Sequence, residues 1–251
     1  MEPAFAYPGG KSWAKKHILP KITPHECYCE PFAGGLAILL AKEPSRIEVV
    51  NDINSELVIF YRCVKYHLDE LIKELQWLPN SREIFLALKE SHSMTDIQRA
   101  ARWYRLQTLS FGGNGDSYGA QRRSGGGVNR SRHLLMEKLE ALNLRLDRVN
   151  IEHLDWERCV KIYDGPGTFF FIDPPYVGGH IKNYAAWSIT DIERLRDTLD
   201  SLKGDYLLTI NDSPEIRELF KGKKIRSLER VRGIANKNGS AGVYRELLVG
   251  Q

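Results

Sequence analysis

At 251 residues with 42% apolar content spread along its length, the chain can bury one α/β core plus a small insertion and lacks the composition of a disordered protein. A net charge of +4 is modest, and four cysteines are too few and too scattered for a disulfide framework. No run of eighteen apolar residues and no secretion signal is read, so a soluble, cytoplasmic protein without a membrane partner is expected.

The first element is a short helix after Lys11, stopped by Pro20. A β-type run over 26–30 follows, and then the turn Glu30-Pro31-Phe32-Ala33-Gly34-Gly35, with 36–41 reading as helix. Cys27 and Cys29 share a strand face near His25 but fall short of a four-ligand set, so core thiols are expected and no metal. Residues 46–51 form a second strand, and Leu57, Phe60, Tyr61, Val64, Leu68 and Leu71 have the spacing of an amphipathic helix. Strand, helix, strand, helix predicts a parallel sheet.

From 81 to 148 the pattern changes to helices separated by a long Gly-, Ser- and Arg-rich loop. Between Arg99 and Arg148 lie ten Arg or Lys against four acids, an excess larger than that of the whole chain. Such a surface suits phosphates, although a solvated basic face is the plainer reading.

After the insertion the β/α rhythm resumes. Residues 168–172 read as a buried strand, Thr190 as the cap of a helix reaching Leu202, 206–210 as a strand, and Pro214 as the start of a short helix. Runs at 224–228 and 244–249 form a final strand pair.

In open α/β sheets ligands bind at the carboxyl ends of strands, and every notable motif falls there. The glycine pair lets backbone approach a ligand, but it is not the dinucleotide fingerprint G-x-G-x-x-G. Asn51-Asp52-Ile53-Asn54 ends the second strand, where a carboxylate can accept from both ribose hydroxyls; the alternative is that Asp52 or Asn54 caps the next helix. Asp173-Pro174-Pro175-Tyr176 ends the strongest strand and presents an acid, a rigid carbonyl and an aromatic ring together. That set suits an aryl amine. Asp173 and the Pro174 carbonyl would accept the hydrogens of adenine N6 and draw its lone pair out of conjugation, while Tyr176 stacks on the base.

Taken with Tyr7-Pro8-Gly9-Gly10-Lys11 at one end and Tyr244-Arg245-Glu246-Leu247-Leu248 at the other, these motifs resemble the D12-class, or Dam-type, adenine-N6 DNA methyltransferases. Their order, with cofactor motifs before the recognition region and the catalytic motif after it, is that of the alpha group. The resemblance implies a Rossmann-like, class I S-adenosylmethionine (AdoMet)-dependent methyltransferase sheet carrying an inserted, mostly helical DNA-recognition subdomain. It divides the chain into a catalytic domain, 1–80 and 149–251, and a target-recognition region, 81–148. It implies that Tyr7, Lys11, Phe32, Ala33 and Gly34 line the AdoMet pocket, that Asp52 binds the ribose, that Ile53 packs on the adenine ring, and that Asp173 serves both cofactor and target.

Tyr7 stands where the family commonly has Trp, and Leu36 where a small residue is frequent. The substrate implied is double-stranded DNA, whose target base must be flipped, with no obligate protein partner and a prokaryotic or phage setting. Arg122, Arg123, Arg130 and Arg132 would hold phosphates or base edges, and His180, Lys182 and Tyr184 would close over the flipped base. Other readings are methylation of RNA adenine, cytosine N4 or a glutamine amide, and a DNA-binding relative without catalysis.

Overall fold

The computed structural model describes residues 1–93, 95–119, 132–178, 184, 186–231 and 243–250. Seven strands form one sheet: β1 (Cys27–Glu30), β2 (Ile47–Asn51), β3 (Val149–Glu152), β4 (Thr168–Ile172), β5 (Asp205–Asn211), β6 (Lys224–Val231) and β7 (Val243–Gly250). Their order is β3-β2-β1-β4-β5-β7-β6, parallel except for β7, which runs antiparallel to both neighbours. This is the expected Rossmann-like sheet. Its strand order reverses between β1 and β4, which opens a crevice at their carboxyl ends.

Helices α2 (Ser55–Tyr66), α3 (Leu68–Gln76), α5 (Asp96–Leu109) and α6 (Arg132–Leu146) bury their apolar stripes on the sheet face carrying Phe169 and Phe171. Helices α7 (Trp156–Tyr163), α8 (Ile189–Asp200) and α9 (Pro214–Leu219) cover the face carrying Phe170 and Ile172. With both faces covered, β4 is buried at every residue, as its unbroken apolar run requires. Trp103 and Tyr104 of α5 and Leu139 and Leu142 of α6 lie in the same core as Phe60 of α2. These two helices of the 81–148 region are therefore joined to the sheet by shared packing. Among the described residues, a small cluster of Phe85 on α4 (Arg82–Glu90) with Leu106 and Leu109 on α5 stands apart.

Several elements differ from expectation. The N-terminal helix is a four-residue α1 (Lys15–Ile18) between two 3₁₀ turns, the second of which contains Pro20. The amphipathic run after Asn54 breaks at His67 into α2 and α3. Ser188, not Thr190, caps α8, and its hydroxyl accepts from the Asp191 amide in a capping box. β3 gives little sequence signal, because it is a short edge strand buried only at Val149, and α7, which was not read from the sequence, is capped by Asp155 and buries Trp156, Cys159 and Val160.

Residues 36–41 form turns and no α-helix. Leu36 is buried in the left-handed region, with φ +57°, and the Leu39 amide donates to the Glu30 carboxylate. The left-handed conformation keeps Leu36 itself out of a helix, and only isolated helix-type bonds follow, such as that from the Leu40 amide to the Leu36 carbonyl at 3.0 Å.

Candidate active site

The switch-point crevice is a cavity of about 570 Å³, within the range of small-molecule sites. It gathers the N-terminal segment, the turn after β1, Asp52 after β2, Asp173 to Tyr176 after β4, Asn211 at the end of β5, and Tyr244 and Glu246 on β7. Motifs from opposite ends of the chain thus meet at the edge where β1, β2, β4 and β5 end and β7 begins.

The Asp52 carboxylate is buried and engaged on both oxygens. Its Oδ2 accepts from the Gly34 amide at 3.0 Å, and its Oδ1 accepts from the Asn54 amide at 2.9 Å and the Tyr184 hydroxyl at 2.8 Å. Burial raises its pKa, against the lowering effect of those donors. Helix capping falls to Asn54, whose side chain accepts from the Glu56 amide, so Asp52 is not the cap. Gly34 has φ +46°, a conformation L side chains rarely adopt, and lies against the Tyr7 ring. The Tyr7 hydroxyl is 2.7 Å from that of Tyr184, and burial pushes its pKa upward.

Asp173 is held on one oxygen. Its Oδ1 accepts from the Thr209 hydroxyl at 2.7 Å and pairs with Lys11 Nζ at 2.8 Å. Lys11, almost wholly buried, also donates to the Gly9 carbonyl, lies 3.8 Å from Glu246 Oε2 and sits 5.2 Å from the Tyr176 ring centroid. Burial, followed by the charges of Asp173 and Glu246, raises the pKa of the Tyr176 hydroxyl, so it remains a neutral phenol.

Glu30 is buried beside these groups and accepts from the Tyr28 hydroxyl and the Leu39 amide, each at 2.8 Å. Burial pushes its pKa up to about 8. The cavity therefore lines one lysine against four acids, Glu30, Asp52, Asp173 and Glu246. That excess of acceptors fits a cofactor carrying a sulfonium and an ammonium group. The buried Asn211 Oδ1, which accepts no hydrogen bond among the described residues, leaves a further acceptor for a ligand.

Of the residues singled out from sequence, Tyr7, Lys11, Phe32, Ala33, Gly34, Asp52, Asp173, Pro174, Tyr176 and Tyr184 all line this cavity. Phe32 does so from its edge, with its ring packed on Trp187 and Trp156. Ile53 is outside the lining and is exposed. Tyr184 was expected over the target base; its hydroxyl donates to the Asp52 carboxylate. Arg122, Arg123, Arg130, His180 and Lys182 lie outside the described residues, and Arg132 begins α6.

The basic count of the insertion also reads differently in three dimensions. Arg99 pairs with Glu56, Arg102 donates to Leu88 O, Arg105 donates to Leu78 O, and Arg145 pairs with Glu48. These four serve internal contacts. Glu30, Thr209, Asn211 and Glu246 were not singled out from sequence. Glu30 and Glu246 lay inside quoted motifs, and the polar Thr209 within an apolar strand was the available signal for its role.

Among the described residues, no helix is long and apolar enough to cross a membrane, and no group of three or more His, Cys, Asp or Glu could hold a metal ion. Cys29 and Cys159 are free, buried thiols with sulfurs 3.8 Å apart.

The chain is similar to known methyltransferases. The type II methyltransferase M1.LlaDCHI of Lactococcus lactis subsp. cremoris is 30% identical over 99% of this chain and 95% of its own length. The type II methyltransferase M.MjaIII of Methanocaldococcus jannaschii is 26% identical over 78% of each. The DNA N-6-adenine-methyltransferase of Escherichia phage P1 is 25% identical over 97% of this chain, which spans 34% of that protein. Residues 7–234 match the family described as D12 class N6 adenine-specific DNA methyltransferase, and the chain belongs to that family.

Proposed function

We propose that the cavity holds AdoMet between Asp52 and Asp173 and that Asp173, Pro174 and Tyr176 present the N6 amine of a flipped adenine to it. The enzyme methylates adenine in DNA, and AdoMet, when bound, supplies the electrophilic methyl group on its sulfonium. The observation that carries the assignment of roles is the fixing of Asp173. Thr209 and Lys11 both occupy Oδ1, which sets the carboxylate plane and directs Oδ2 to other partners. Asp173 and the Pro174 carbonyl then accept the two N6 hydrogens, and the neutral Tyr176 ring stacks on the base.

Asp52 accepts the ribose hydroxyls, while Tyr7, Lys11, Phe32, Ala33 and Gly34 enclose the rest of the cofactor. Ile53, exposed beside Asp52 in the chain, covers the cofactor's adenine. We assign 1–80 and 149–251 to catalysis and 81–148 to target recognition, with duplex DNA gripped through Arg122, Arg123, Arg130 and Arg132. A monomer with no obligate protein partner suffices for one target adenine.

The test is transfer of labelled methyl from AdoMet to duplex DNA, single-stranded RNA or protein, followed by digestion. Label in N6-methyladenine of DNA is expected. Label confined to RNA, to cytosine N4 or to a glutamine amide overturns the reading.

A further inference from the structure

Arg145, in the last turn of α6, points inward. Its Nη1 donates to Glu48 Oε2 at 2.5 Å, and its Nη2 donates to Glu48 Oε1 at 2.8 Å and to the Leu39 carbonyl at 2.9 Å. The Leu39 amide donates in turn to Glu30 in the cavity, at 2.8 Å. A second route runs beside the first. Glu48 Oε1 accepts from Lys42 at 2.6 Å, Lys42 lies over the Tyr28 ring at 4.5 Å, and the Tyr28 hydroxyl donates to Glu30. Among the described residues none of α6 lines the cavity, and these links join that helix to it.

The turn carrying Leu39 makes these links matter. Leu39 is bonded on both sides, its amide to Glu30 and its carbonyl to Arg145, within a buried turn whose own backbone bonds run from Leu40 to Leu36 and from Ala41 and Lys42 to Ile38. Glu48 is buried, and burial alone would push its pKa up; Arg145 and Lys42 outweigh that and hold it ionised. Removing Arg145 therefore takes the side-chain donor from the Leu39 carbonyl and leaves Glu48 with Lys42 and the Ser45 amide.

We propose that Arg145 is a positioning residue for methyl transfer: through the Leu39 peptide and Glu48 it fixes Glu30 in the cofactor cavity, and so ties α6 to cofactor binding. The proposal rests on the reading of the cavity as the AdoMet site. The groups that face Glu30 are Tyr28 and Cys29 on β1, Lys42 after the turn, Tyr61 on α2 and Asp173 after β4. Of these, Lys42 and the Leu39 bond answer directly to Arg145 and Glu48. Loss of the Leu39 donor raises the titration of Glu30, and a displaced carboxyl binds a cationic ligand less well.

The probe is S-adenosylhomocysteine, titrated against the full chain without DNA from pH 6 to 9, with thermal unfolding recorded for every variant. Arg145→Lys keeps the charge beside Glu48, but a point donor cannot replace a fork that reaches both Glu48 and Leu39. The expected result is several-fold weaker binding, with the midpoint of its pH dependence moved upward. Arg145→Met gives a larger change in both, and Glu30→Gln removes the pH dependence in either background. A folded Arg145→Lys protein with wild-type affinity and midpoint overturns the proposal, as does a pH dependence that survives Glu30→Gln. Asp52→Ala separates the two readings: if it leaves binding intact, the assignment of the cavity to the cofactor fails instead.

Discussion

The Tyr184 hydroxyl donates to Asp52 Oδ1 at 2.8 Å, so a tyrosine from the segment after the catalytic motif occupies the acceptor assigned to the cofactor ribose. A phenol and a ribose hydroxyl are interchangeable donors for a carboxylate. The Tyr7 hydroxyl, present because Tyr stands where Trp is common in the family, steadies the arrangement from 2.7 Å. In the proposed binding mode a ribose hydroxyl competes with Tyr184 for Asp52 Oδ1. Tyr184→Phe removes the competing donor, worth about 0.5–1.5 kcal/mol for a hydrogen bond of this kind. Calorimetric titration with S-adenosylhomocysteine is expected to show tighter binding by roughly 2- to 12-fold. Weaker binding would mean that the hydroxyl assists the cofactor.

Glu30 links stability to pH. Its folded-state pKa of about 8 lies above the ordinary value of 4.5, so the folded protein holds a proton that the unfolded chain has lost. Stability is full below about 4.5 and declines as pH rises through 8, since the folded state binds more protons across that interval. Glu30→Gln keeps an acceptor for Tyr28 and Leu39 and carries no charge. Its Tm relative to wild type should therefore be higher at pH 9 than at pH 5, measured without cofactor. Parallel Tm curves for the two proteins would show that Glu30 does not titrate in this interval.

Leu36 reverses the usual ranking of small residues. It is fully buried at φ +57°, a conformation that costs an L-residue roughly 1–2 kcal/mol and glycine almost nothing. Leu36→Ala should lose about 2–5 kcal/mol of stability through the cavity it leaves. Leu36→Gly forfeits the same packing but relieves the strain. Urea unfolding should find it at least as stable as the alanine variant, and a glycine variant that is clearly weaker would contradict the backbone argument.

Much of this was legible in the sequence because the informative residues sit where chain geometry is most constrained. The Phe169 to Ile172 run could only be a strand buried on both faces, and the Asp-Pro-Pro-Tyr that follows it could only end it at the ligand-bearing edge. Asp52 was found by the same rule.

What the sequence could not supply was anything fixed by tertiary pairing. The left-handed Leu36 and the Leu39 to Glu30 bond cancel a local helix pattern. Four arginines that counted toward a DNA-binding surface are turned to internal partners. Glu246 reaches the site because β7 inserts beside β5, a neighbour relation that strand spacing alone does not reveal.

The role of Asp173 is tested most directly by single-turnover methylation of duplex DNA with labelled AdoMet, comparing wild type with Asp173→Ala at saturating cofactor. With the N6 acceptor removed, transfer should fall by about a thousand-fold, in line with the loss of one preorganised polar contact at a reacting atom. Thermal unfolding should still show a folded protein. A folded Asp173→Ala enzyme that transfers methyl at near the wild-type rate would contradict the assignment of Asp173 to the target amine.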